Sequence, residues 1–286
     1  MPAVLDSGRA TILRSVEIAA ITWNLFHGRD FPPDPELFTW RSRLLRRVER
    51  NATHVQLNRD LLDEFARTLA GAPWDVALLQ EAPPRWAAPL ARACDAVAQR
   101  SLTSRNWLAS RRTPLARRNP DLLGSWEGGS NVTLARGSLE LEPTHQRELL
   151  LRRLPERRTM AFARHGAALC VANLHASASA RLAEQDVLAA AEAAIRWAGD
   201  LPLLFGGDFN VRPGRSGLFD ELARRFDLRP PTADDAIDHI LVRGLEVVAR
   251  PTAWPPEARE VACDGLAVRL SDHAPVGARF RTGEAS

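Results

Sequence analysis

The chain has 286 residues, enough for one large or two small domains, and its 45% hydrophobic and 26% charged residues support a buried core. That balance excludes disordered, collagen-like and membrane-channel descriptions. All 38 residues in the Lys plus Arg count are arginine and tyrosine is absent, so a Walker lysine, a Schiff-base lysine and a phenolic acid or nucleophile are excluded. With a formal net charge of only +3, overall basicity argues little for a polyanion partner, and the distribution of charge matters more.

Residues 1–15 read as an N-terminal arm, either loosely held or a short edge element. The run VEIAAITW from Val16 reads as a buried strand that ends at Asn24, and RDFPPDPELF as a Pro-rich loop. Helical periodicity continues through LLDEFARTLAGAP, with Gly71 and Pro73 as stops and the 41–50 stretch RSRLLRRVER as the polar side of a helix. DVALLQE predicts a second strand that carries Gln80 and Glu81 at its tip, and PPRWAAPLARACDAV a helix entered through proline. Residues 96–120 hold six arginines and no acid, and read as a long surface loop. SNVTLAR, TMAFARH and ALCVANLHA predict strands, AEQDVLAAAEAAIRWAGD an Ala-rich helix and LPLLFGGDFN another buried strand. A short amphipathic helix, SGLFDELARRF, precedes three further strands in AIDHILVRG, LEVVARPTAW and APVGARFRT. Helices interspersed among strands predict an α/β fold, with no repeat or dividing linker.

Cys94, Cys170 and Cys263 are odd in number and lack CxxC spacing, which predicts reduced thiols rather than a disulfide framework or zinc ribbon. The N-terminus lacks a basic-then-apolar layout and no run reaches the roughly 18 apolar residues of a membrane span, so a cytoplasmic address is expected.

Apolar runs finish in polar residues at Asn24, at Glu81, at Asn173 with His175, at Asp208 with Asn210 and at Asp238, while Asp272 and His273 open a sixth position. One acid at a strand end is usually a turn residue, but this recurrence suits a hard cation and a phosphate. In order, the segments WN, LLQE, NLH, GGDFN, IDHIL and SDHAPV run from about residue 21 to 276. This set resembles the endonuclease/exonuclease/phosphatase superfamily, whose members look like deoxyribonuclease I.

The resemblance implies one catalytic domain over residues 16–286, folded as a four-layer α/β/β/α sandwich of two mixed sheets flanked by helices, with the site where strand tips converge. It implies hydrolysis of a phosphate ester with Mg²⁺ or Mn²⁺, with Glu81 as the principal metal carboxylate and Asn24 and Asp272 assisting. Asp208 is then the activator of the attacking water and Asn210 a holder of phosphate or nucleophile. Asp238 is expected to bond to His273, which acts as charge stabiliser or base. His175 is the candidate for stabilising the transition state or protonating the leaving oxygen, with Asn173 in support. Whether one or two ions act stays open, as does the carboxylate that pairs with His175.

Asn131 in GGSN is either a cleft residue or a turn residue, and Arg157 or Arg158 either a phosphate fork or solvated surface. His27 either faces the cleft or is an ordinary loop residue, whereas strand alternation turns His239 away from Asp238 and makes it structural. Residues 96–126, with Trp107 and Trp126, suggest arginine contacts to phosphate and indole stacking on bases, the alternative being an arginine coating. The expected activity is therefore a phosphodiesterase or nuclease acting on DNA or RNA, set against a phosphatase or phosphodiesterase on a small molecule or lipid headgroup. A non-catalytic scaffold is opposed by the crowded acids, which repel without an ion.

Overall fold

A computed structural model describes residues 16–137, 139, 145–165 and 169–283, so the arm expected at 1–15 lies outside the described residues. In chain order β1 (Glu17–Asn24) leads to α1 (Trp40–Leu45), the short strands β2 (Glu49–Arg50) and β3 (Val55–Gln56), α2 (Leu62–Gly71), β4 (Val76–Ala82) and α3 (Ala87–Ala93). Next come β5 (Ala96–Leu102), α4 (Ala109–Arg118), α5 (Pro120–Leu123), β6 (Ser130–Arg136), β7 (Arg147–Arg152), β8 (Arg158–His165) and β9 (Leu169–His175). The remainder comprises α6 (Ala180–Ala198), β10 (Leu203–Asp208), α7 (Leu218–Phe226), β11 (Asp238–Arg243), β12 (Leu245–Ala253), the hairpin β13 (Glu260–Cys263) and β14 (Leu266–Arg269), and β15 (Val276–Thr282).

Two mixed sheets result, one of six strands in the order β12-β15-β1-β4-β6-β5 and one of five in the order β11-β10-β9-β8-β7. In the first, β1 and β4 run parallel; in the second, β9 and β10 do. The central strands are apolar on both faces because both faces are covered. On β1, Ile18 and Ala20 meet Leu204 and Ile240 of the other sheet, while Ile21 and Trp23 turn outward to Phe65 of α2. On β10, Leu204 faces between the sheets and Leu203 and Phe205 lie under α6. Helix α6 lays Ala183, Ala190, Ala191 and Ala194 against that sheet, small side chains that let the helix approach closely. This is the expected four-layer α/β/β/α order.

Two expectations change. Residues 96–120 are not a long loop: β5 pairs with β6, and α4 follows. The sequence concealed the helix because only Ala116 of α4 is buried, which leaves no apolar stripe. The helix read across 41–50 stops at Leu45, where Arg46 takes a left-handed conformation (φ 55°) and the β2–β3 hairpin begins. Strand β7 and the β13–β14 hairpin, both half-buried or exposed along most of their length, carried too weak an alternation to be predicted. Among the described residues no helix is long and apolar enough to cross a membrane, and Cys94, Cys170 and Cys263 form no disulfide.

Candidate active site

The register of the second sheet explains how distant residues meet. Asp208 at the tip of β10 pairs with His175 at the tip of β9 and with Asp238 at the start of β11. Paired residues project from the same face, so these three side chains form a row across three adjacent strands. The opposing sheet supplies Asn24, which pairs with Gln80 at the ends of β1 and β4. Glu81 follows in a left-handed conformation (φ 48°), where a break in the β4–β6 register interrupts the ladder. Double glycine in GGDFN has a local cause: a Cβ on Gly207 (φ +140°) would stand 1.9 Å from the Leu174 carbonyl oxygen of β9.

Asp208 is 1% exposed. Its Oδ2 accepts from Asn24 Nδ2 at 2.9 Å, and its Oδ1 accepts from the backbone N–H of Asn210 at 3.0 Å. Burial, with the Asp238 charge adding to it, pushes its carboxyl up to about 7. Beside it, His273 Nδ1 donates to Asp238 Oδ2 at 2.7 Å. Burial alone would lower this imidazole; Asp238, backed by Asp208 and Asp272, overrides burial and raises it to about 10. The turn holding His273 is tied down by Ser271 Oγ, which donates to the Asn24 carbonyl at 2.6 Å and accepts the His273 N–H at 3.0 Å. The His273 carbonyl accepts from Trp23 Nε1 at 3.0 Å and Arg259 Nη1 at 2.9 Å.

On the other wall, His175 is 3% exposed, with Arg158 Nη1 at 2.9 Å from its Nδ1 and its own Nε2 at 3.4 Å from Asp208. Burial and the Arg158 guanidinium hold it well below the ordinary histidine value, so it is neutral. Its nearest charged neighbour is thus an arginine rather than a carboxylate. Glu81 lies 3.3 Å from His27 Nε2 and 3.9 Å from His175 Nε2. Burial acts to raise Glu81, but the basic surroundings of His27, His175, Arg158 and His273 hold it down at about 2. Because burial also lowers His27, the lasting cations here are Arg158 and His273.

A cavity of about 280 Å³ opens beside Glu81 and His175, and Arg158, Arg105, His27 and Glu156 also line it. A second hollow of about 530 Å³ is lined by Asp238, Asp272 and His273. A further hollow of about 630 Å³ along α2 and Trp254 lies apart from these residues.

The structure thus gathers Asn24, Glu81, His175, Asp208, Asp238, Asp272 and His273, with Arg158 turned inward and 6% exposed. Arg157 turns outward to Glu148 at 2.9 Å. Two asparagines bond across the sheets. Asn173 is fully buried; it accepts from Gln80 Nε2 at 2.8 Å and donates to the Val132 carbonyl at 3.2 Å, so its amide ties the sheets together beneath the site. Asn131 likewise spans the sheets through Thr159 O at 2.8 Å, although its buried Oδ1 has no partner. Asn210 is anchored through Nδ2 to the Ala176 carbonyl at 3.2 Å. His239 lies on the opposite face, as alternation predicts, where Nε2 donates to Val211 O at 3.1 Å. His27 does face the cleft; its place three residues beyond Asn24 was the only signal. Arg105 belongs to the arginine-rich 96–126 stretch and lines the cavity, whereas Arg259 carried no signal, since its partners are backbone carbonyls at 270–273.

The donors fit a hard divalent cation. Glu81, Asp272 and Asn24 offer oxygen ligands. The acids also disfavour one another's ionisation: besides burial, Glu81 raises both Asp208 and Asp272, and the buried Asp238 Oδ1 has no partner. Asp208, Asp238 and His273 are the one compact triad of metal-type donors among the described residues. Since His273 gives its Nδ1 proton to Asp238, the oxygen-only set around Glu81 suits the cation better.

Solved structures share the architecture. An endonuclease/exonuclease/phosphatase family protein from Bacteroides thetaiotaomicron superposes with a TM-score of 0.62 at 14% identity, covering 94% of this chain and 99% of its own. The mannosyl-6-phosphatase Bt3783 of the same organism gives 0.61 at 14% identity, with coverage of 92% and 99%. Truncated TDP2 from Caenorhabditis elegans gives 0.54 at 12%, with 92% and 97%. At these identities the likeness establishes the fold alone. No curated protein matches the sequence. Residues 21–273 match the Endonuclease/Exonuclease/phosphatase family, and with the ordered strand-end residues gathered in one cleft, the chain belongs to that family.

Proposed function

We propose that the chain is a divalent-metal-dependent phosphoric ester hydrolase that cleaves a phosphodiester by in-line attack of water. The observation that carries this reading is the His175–Asp208–Asp238 row facing Glu81, with His273 beside it and a hollow on either side. A diester has two substituents to place, one in each hollow. Mg²⁺ or Mn²⁺, held by Glu81 and Asp272 with Asn24, supplies charge neutralisation at the phosphate and a more acidic water.

The protein's own groups then divide the work. Asp208, both oxygens pinned by Asn24 and Asn210, takes the proton of the attacking water. His273, its Nδ1 proton held by Asp238, presents Nε2–H to a non-bridging oxygen. Arg158 and neutral His175 stabilise the charge that develops on the opposite side. Asn210 positions the phosphate or the water. Asn173 acts by holding the strand tips in register, and Asn131 by bonding across the sheets to Thr159 O.

Among substrates, DNA or RNA remains one reading, with 96–126 as its contact surface. A headgroup or small-molecule ester is the second. Purified protein with Mn²⁺ is expected to hydrolyse bis(p-nitrophenyl) phosphate, to stop with EDTA and to lose at least ~100-fold in kcat as Asp208→Asn or His273→Ala. Retained turnover in either variant overturns the assignment. A panel of single- and double-stranded DNA, RNA, inositol phosphates and sphingomyelin then separates the substrate classes.

A further inference from the structure

Two segments expose large apolar side chains among arginines. In the first, Trp40 is 64% exposed and Leu44, Leu45 and Val48 are about half exposed. Five arginines and one acid, Glu49, lie between residues 40 and 50. In the second, Trp107 is 66% exposed, with Leu115, Leu122 and Trp126 also open to solvent, while residues 105–118 hold five arginines and no acid.

The segments adjoin in space. Asn119, between α4 and α5, donates to the Arg43 carbonyl of α1 at 2.7 Å and accepts from Asn58 Nδ2 at 2.8 Å. Both segments reach the cleft. Ser125, next to Trp126, lines the cavity beside Glu81. Phe26 lines it too and leads outward through Phe31 to Phe38, just before α1.

Two arginines of the second segment are neutralised, Arg105 by Glu156 at 3.1 Å and Arg117 by Asp60 at 3.4 Å. Arg46, Arg47, Arg111 and Arg118 have no ion pair among the described residues. This surface therefore combines exposed leucine and tryptophan with uncompensated positive charge. Leucine and valine side chains neither hydrogen-bond to phosphates nor stack on bases, so a nucleic acid leaves them in water. A lipid surface takes all of these groups, with aliphatic side chains in the acyl boundary, indoles at headgroup level and arginines on anionic headgroups.

We propose that the α1 and α4–α5 face docks this chain onto an anionic lipid bilayer, with the cleft beside the headgroups. The inference deepens the headgroup reading above, yet its test needs no catalysis. Full-length protein in EDTA is pelleted with phosphatidylcholine vesicles that contain or lack phosphatidylserine. Pelleting is expected only with phosphatidylserine and is expected to weaken as salt rises. Leu44→Asp/Leu45→Asp abolishes it, and Arg46→Gln/Arg47→Gln weakens it about thirtyfold, from the worth of two cations near an anionic surface. Both variants keep the wild-type melting temperature and rate on a soluble diester, which excludes misfolding.

The proposal is overturned by absent pelleting, by equal pelleting with phosphatidylcholine alone or by undiminished pelleting of the leucine variant. It is equally overturned if Leu44→Asp/Leu45→Asp instead abolishes self-association in sedimentation velocity, or binding of a single-stranded oligonucleotide. Loss of diester hydrolysis with vesicle binding intact bears on the catalytic reading and leaves the docking face standing.

Discussion

Asp121, at the start of α5, is a buried acid with a calculable cost. The residue is 2% exposed; Gln56 Nε2 donates to its Oδ2, and its Oδ1 has no partner. Burial pushes the carboxyl up to about 6 from its ordinary 3.8, even though Arg29 and the Gln56 bond act to lower it. A raised acid holds its proton more tightly folded than unfolded. The stability it contributes is therefore fully present below pH 3.8 and is lost as pH rises through about 6. The difference is worth about 3 kcal/mol at pH 8. Asp121→Asn keeps the shape, removes the charge and still offers an amide oxygen to Gln56 Nε2. The variant is expected to exceed the wild type at pH 8 by up to about 3 kcal/mol, on the order of 6 °C in melting temperature. The two proteins are expected to converge near pH 4. Paired thermal and urea melts at both values are the assay. A variant less stable than wild type at pH 8, or a gap of equal size at both pH values, refutes the reasoning.

Gly207→Ala is expected to cost more than about 3 kcal/mol in a urea melt, since its Cβ has no room beside Leu174 O. Saturating Mn²⁺ is expected to raise the wild-type melting temperature, by about 2.7 kcal/mol of stability at a hundredfold excess over Kd; Glu81→Gln abolishes that shift. Asn173→Ala is expected to lower stability by about 1–3 kcal/mol while leaving KM for a diester unchanged, because its amide bonds only within the protein. Burial lowers His239 to about 4, so its ring signals in NMR stay fixed from pH 8 down to 5. The stability this neutral imidazole contributes is present above pH 6.5 and is lost as pH falls through about 4.

Legibility in the sequence followed burial. Central strands such as β10 are apolar on both faces and end abruptly in polar residues, so Leu203–Asp208 and its GGD tip could be read directly. Helix α4 buries only Ala116 and β7 has no fully buried residue, so neither left a periodic imprint. The same rule explains the site. Asp208 and His273 were readable because each follows or precedes a buried strand in a recognisable motif. Asn173 shares that setting, and a strand-end asparagine looks the same in sequence whether its amide faces a cleft or, as here, Gln80 of the opposing sheet. Arg259 was invisible because its partners, the carbonyls of Leu270 and His273, are backbone atoms brought to it by the fold.

The cleft's charge arrangement joins these observations. On the Glu81 side basic groups outnumber acids, and Glu81 is ionised despite burial. On the Asp208 side acids crowd one another, and burial with Asp238 lifts Asp208 toward neutrality. A divalent cation held by Glu81 and Asp272 would remove the repulsion that Glu81 adds at Asp208 and Asp272, and a phosphate beside Arg158 and His273 would balance the positive charge that the cation adds. Each ligand thus improves the site for the other, which is positive coupling without any movement of the backbone. It follows that inorganic phosphate binds more tightly in the presence of Mn²⁺ and Mn²⁺ more tightly in the presence of phosphate, by the same factor. Paired calorimetric titrations that yield two unequal factors, or no coupling, contradict this account of the charges.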